Sequence, residues 1–394
     1  MTRSAVFFIA LTALLLFAAH PSVAAGTPPP GNDTYVNDAL TDEARQLFLR
    51  ERFSELEGMA TGFRRDKSCT VEGTSKLELF YEAFSKGLGD RPSPETERAY
   101  QAAFDLMDKW AREFPNSVTE RTAEAGVWTD YAWIARGKGY ANTVTDDGWR
   151  LYDERIKRAY GLLEKKPLPP AEDCPQRYAA LLTVGMAQSW DRKDYDDIFS
   201  EGVALDPVYY ALYRQKAIYL LPRWHGGPGD WQRFAGESVR LTPKSEGMSA
   251  YAVVASATQR YGEWNYFEES GIEWPKMKQG YADLLKQYPD SSRILNRYAM
   301  YAVMANDREA ARPLLGRIGE NPCMSVWKER PYYDYCRGLV ASGKDYPVPE
   351  NVKQGRAFQL AYQAVKSAAY FSKFVFSTTP GLGLLASFVY ALMM

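Results

Sequence analysis

Histidine is nearly missing from this chain, and that absence removes more chemistry than any other feature. Of two histidines in 394 residues, His20 lies in an apolar N-terminal run, which leaves His225 alone in the remainder. An H-E-x-x-H zinc site or a two-histidine iron triad cannot be assembled within one such molecule, and neither a metal nor a cofactor is expected. A phosphate loop is lacking as well. Gly137-Lys138-Gly139 has neither the remaining glycines nor the preceding strand of one, and it reads as a helix C-cap and turn. Charge bias is absent, with 48 basic against 49 acidic residues and no block of one sign, so no nucleic-acid partner is expected. No window alternates Val, Ile and Thr between turn dipeptides as a sheet requires. Cysteine is sparse, and Cys69, Cys174, Cys323 and Cys336 form no C-x-x-C pair, which excludes zinc ribbons and thioredoxin-like redox motifs. Asp194-Tyr195-Asp196-Asp197 alternates carboxylates, but Phe199 and Leu205 stand where a calcium loop needs Gly and Glu.

What is present starts with an export signal. Arg3, the apolar run Ala5 to Ala19 and the small residues of Pro21-Ser22-Val23-Ala24-Ala25 make residues 1–25 a signal peptide. Residues 26–39, with Pro28-Pro29-Pro30-Gly31, are expected to form a disordered tail. Export favours oxidation, so disulfides are the default. Cys323 and Cys336 are the closest pair, and their bridge would close a short loop at about 3 kcal/mol of stabilisation.

From about residue 40 to 345 the apolar residues recur three or four apart. Tyr100, Ala103, Phe104, Met107, Trp110 and Phe114 share one stripe that Pro115 ends. Similar segments cover roughly 118–135, 147–164, 176–190, 194–205, 208–221, 229–241, 248–260, 275–288, 292–305 and 308–318. Short polar or Pro/Gly connections make neighbours antiparallel, so the fold is all-α, built of stacked helical hairpins. Phe104, Trp110, Phe199, Tyr298 and Leu314 are expected core positions.

Phe114-Pro115-Asn116-Ser117 and Tyr288-Pro289-Asp290-Ser291 build the same joint twice: an aromatic ends one helix, Pro breaks the chain and Ser caps the next. Ala204-Leu205-Asp206-Pro207 is a looser copy. Here the chain resembles the tetratricopeptide repeat, whose spacing Tyr301, Ala310, Leu314 and Pro322 match, as do Phe199, Gly202 and Pro207 for the second half of a repeat. Tyr195 departs from the pattern, standing where a small residue belongs. Pro115, Pro207 and Pro289 are 92 and 82 residues apart, not multiples of the family's period of about 34, so some hairpins must be longer. The resemblance implies a tetratricopeptide-like solenoid. Tyr131 to Ala141 and Leu221 to Gly227 also resemble segments of a bacterial tetratricopeptide-like family of undescribed function, which implies the bacterial periplasm or cell envelope as destination.

Two glycine-interrupted loops concentrate recognition chemistry. Arg136 and Tyr140 flank one, while Arg223, Trp224 and His225 sit in the other, Pro222 to Trp231. Planar guanidinium donors beside large aromatic faces are the chemistry of binding hot spots. The expected function is therefore a non-enzymatic exported scaffold that binds a peptide or protein in a helical groove. The alternative is a carbohydrate-active enzyme of the helical toroid kind, lyase or glycosidase, for which no acid/base pair can be named. Finally, Phe374 to Met394 carries no charge, so residues 346–394 are expected either to contact a membrane or to cap the stack.

Overall fold

The computed structural model describes residues 33–137, 139, 141–165, 173–261 and 266–346. The signal-peptide segment and the uncharged C-terminal run lie outside them. Among the described residues seventeen α-helices follow one another: α1 Asp33–Leu49, α2 Phe53–Asp66, α3 Lys76–Glu82, α4 Pro94–Glu113, α5 Val118–Arg136, α6 Asp146–Leu163, α7 Pro175–Ala187, α8 Arg192–Leu205, α9 Tyr210–Tyr219, α10 Asp230–Leu241, α11 Ser249–Thr258, α12 Tyr266–Ser270, α13 Trp274–Gln287, α14 Ser292–Met304, α15 Arg308–Ile318, α16 Met324–Trp327 and α17 Arg330–Ser342. Among the described residues the only β feature is an isolated bridge between Cys69 and Ser75. The fold is all-α. Helix α1 starts at Asp33, within the segment 26–39 that the sequence reading takes as a tail.

Side-chain caps start several of the longer helices. Ser93, Ser117, Thr145, Asp191, Ser291 and Asp307 each accept a hydrogen bond from the backbone N–H three residues on, at 2.9 to 3.1 Å. Ser117 and Ser291 are the caps of the two repeated joints. Consecutive helices pack as antiparallel pairs, α5 with α6, α7 with α8, α9 with α10 and α14 with α15. Helices α5, α7, α9 and α11 also pack side by side as an inner row, with their partners behind. Helix α3 lies on that row, touching α5 and α7.

The core runs the length of the stack. Trp110 is fully buried, stacked on Phe53 with ring centroids 5.6 Å apart, and Phe48 and Phe84 pack round it. Phe199 and Tyr298 are buried as expected, whereas Phe104 and Leu314 are half-buried at the edge of the core. Phe104 instead stacks on Trp128 at 3.9 Å. Tyr195 lies flat on Tyr219, with ring centroids 3.7 Å apart. Gly202 supplies the close approach: a Cβ there would meet Tyr178 Cβ at 2.8 Å and Leu212 Cδ2 at 2.9 Å.

The expected Cys323–Cys336 disulfide is a correction: no disulfide forms among the described residues. The chain between the two is not a plain turn but α16 and the start of α17, with buried Trp327 against Tyr333 at 5.0 Å. Cys323 Sγ lies 3.2 Å from Ser325 Oγ, and burial pushes the Cys336 thiol up to about 12, beside Tyr332. Each thiol thus faces its own helix.

Gly202→Ala should be destabilising by about 1–3 kcal/mol, because both neighbours are packed side chains with little room to shift. A thermal melt checks this. An unchanged Tm would show that α7, α8 and α9 do not approach as described.

Candidate functional site

Helix α5 ends at Gly137, which takes φ 74°, and Arg136 in the last turn folds back to donate from Nη1 to the carbonyls of Gly137 and Gly139 at 3.2 and 3.1 Å. Its guanidinium lies 5.3 Å from the ring of Trp133 and 5.4 Å from that of Trp149, at the start of α6. Across from it, the α9–α10 connector sends Trp224 edge-on to Trp133, with centroids 6.2 Å apart and planes at 86°. Trp224 of the connector thus packs on helix α5 one turn before the first loop begins.

Their residues divide by role. Arg223 is exposed, with its guanidinium 5.3 Å from the ring of Tyr261. Trp224 is half-buried, and its indole N–H is covered without an acceptor, so most of this side chain serves packing. His225 turns inward: it stacks on Tyr219 at 4.9 Å, and its Nε2 is 3.0 Å from the Met186 carbonyl, which can only accept. The imidazole thereby pins the connector to α7. Tyr140 lies outside the described residues.

A second set of groups, which sequence reasoning missed, lines the inner row. Arg214 of α9 pairs with Glu78 of α3. Glu82, one turn further, is solvent-accessible yet pushed up to about 7, first by desolvation, then by the Glu78 carboxylate, against the pull of Arg214 and Arg293. Asp130 of α5 is likewise accessible and raised by desolvation, with the Ser85 hydroxyl opposing. Glu78 and Glu82 lie one turn apart on α3, while Asp130, Arg214 and Arg293 come from α5, α9 and α14, so no sequence motif joins them.

A third carboxyl is buried outright. Glu120, 2% exposed, is pushed up to about 9 by burial and by the facing Glu124 carboxylate, with which it hydrogen-bonds. One of its oxygens has no partner. Glu124 also accepts from Trp128 Nε1 at 3.0 Å, and nearby Glu57 accepts from Trp110 Nε1 at 2.9 Å and from Ser117 Oγ. Among the described residues no cluster of His, Cys, Asp and Glu could hold a metal ion, and no helix is long and apolar enough to cross a membrane.

No protein-family model, no curated protein and no solved structure matches the chain.

Glu120 gives a pH dependence with a definite sign. Its folded-state value lies above its unfolded one, so its stabilising contribution is complete below about pH 4.5 and is lost as pH rises towards about 9. Glu120→Gln keeps a donor for Glu124 and carries no charge, so the variant should gain stability relative to wild type between pH 5 and 8. Urea unfolding of both proteins at these two values tests it; a constant difference between them would contradict the buried, protonated carboxyl.

Proposed function

We propose that the protein is a non-enzymatic exported scaffold of the tetratricopeptide-like kind, which binds a peptide or protein partner. The single observation that carries the reading is the arginine–aromatic surface of Arg136, Trp133, Trp149 and Trp224, with the exposed Arg223 next to Trp224 in the same connector. Large flat side chains already fixed by packing lose little entropy on binding, and a guanidinium supplies several donors in a fixed plane. Arg223 is the contact residue of this reading and Trp224 its support.

The reading as a carbohydrate-active enzyme draws on Glu82 and Asp130, two accessible carboxyls with raised proton affinity. Release of reducing ends from a polysaccharide, abolished by Glu82→Gln, would establish it in place of the scaffold.

Arg223→Ala should weaken capture of a partner from the bacterial envelope at least tenfold with little change in Tm, whereas Trp224→Ala should lower the Tm by several degrees. Comparative pull-down with both variants and thermal melts check this. A large Tm loss in Arg223→Ala, or undiminished capture by it, would remove the surface from the binding site.

A further inference from the structure

The first hairpin of a helical stack has no repeat before it, so the apolar side that would face one is left without cover. In this molecule a groove of about 630 Å³ opens between α1 and α2. Leu40 and Leu47 of α1 and Met59 and Phe63 of α2 line it, and each is only half-buried. The charged residues of its lining are Glu43, Glu55 and Lys76. Helix α1 as a whole is acidic, carrying Asp33, Asp38, Asp42 and Glu43 against Arg45. Lys86 of the neighbouring segment binds Asp38 and Asp42, which still leaves acids in excess.

An apolar groove with an acidic margin fits an apolar segment that carries basic residues, and this chain contains one. From Asn351 to Lys373, outside the described residues, stand Lys353, Arg356, Lys366 and Lys373 and no acid. Phe358, Ala361, Tyr362 and Val365 recur three or four apart between them. The segment is also tethered within reach. Tyr346 donates its backbone N–H to Asn306 Oδ1 at 2.6 Å, just past the end of α14, while Glu72, four residues before Lys76, accepts from Arg293 N at 2.9 Å at the start of α14. With α14 rising about 1.5 Å per residue, Tyr346 and Lys76 are no more than about 45 Å apart. Lys366 is twenty residues beyond Tyr346, and that length of chain can span up to about 65 Å.

We propose that residues 356–373 of the same chain occupy the α1–α2 groove, so that the C-terminal part of the sequence covers the open face of the first hairpin. The inference is independent of the Arg223 surface. Lys76 in the groove lining supplies the reporter: a short amine-reactive crosslinker is applied to the purified full chain, prepared as a mixture of isotope-labelled and unlabelled protein. Lys76 should link to Lys366 or Lys373 within one copy. Replacing Phe358 and Val365 together by Asp, outside the helices that form the groove, should lower the yield of that link about tenfold or more, because two apolar side chains lose their burial. Absence of any link from Lys76 to Lys366 or Lys373 in wild type would overturn the proposal. So would a yield that the double replacement leaves unchanged, since that would show proximity without seating. Links that join labelled to unlabelled copies would assign the groove to a second copy of the chain, and overturn it as well.

Discussion

The carboxylate of Glu72 at the head of α14 is the contact on which the shape of this molecule depends. A solenoid of helical hairpins holds itself together through neighbours only, and nothing in that local logic brings its first hairpin to its last. Glu72, Arg293 and Thr74 supply the missing long-range term, joining residues some 220 positions apart. Hydrogen bonds to a charged group contribute about 1.5–3 kcal/mol each at best, and the positive end of a helix adds to them. A few such contacts outweigh the chain entropy of ordering one nine-residue loop only because the flanking helices α2 and α3 are already anchored by their own apolar faces. Helix α3 then lies against α5 and α7, the helices beside which Glu82 and Asp130 are desolvated.

The side-by-side packing of α5, α7 and α9 also underlies the arginine–aromatic surface. Arg136 and Arg223 belong to different hairpins. Bringing the end of α5 to the α9–α10 connector lets Trp133 and Trp224 meet and leaves Arg223 outside. The interior side of this contact is spent on packing, in His225 against Tyr219 and the Met186 carbonyl. Exposed and packed side chains are therefore divided within one short connector, residue by residue.

Most of the secondary structure was legible in the sequence because the apolar period, the capping serines and the helix-ending prolines agree with one another. Expected segments such as 118–135 and 292–305 match α5 and α14 to within a residue or so. Helix α17 escaped notice for a specific reason. Tyr333, Cys336 and Val340 make a helical stripe, but Cys336 was assigned to a covalent bridge instead of to that stripe. The two glycine-interrupted loops were visible as candidates because Arg, Trp and His stand out among flexible residues. The packing of Trp224 on α5 was not, since it is a tertiary contact. Least legible was Glu72, a single acid in a Ser/Thr/Gly loop, whose role is set wholly by a partner helix far along the chain.

If the Glu72 contact closes the stack, removing its main partner should open the molecule without melting its helices. Small-angle X-ray scattering of Arg293→Ala beside wild type measures this directly. The account predicts a larger radius of gyration at unchanged helix content by circular dichroism. An unchanged radius of gyration in a folded variant would show that the hairpins set their own curvature and that the clasp merely decorates it.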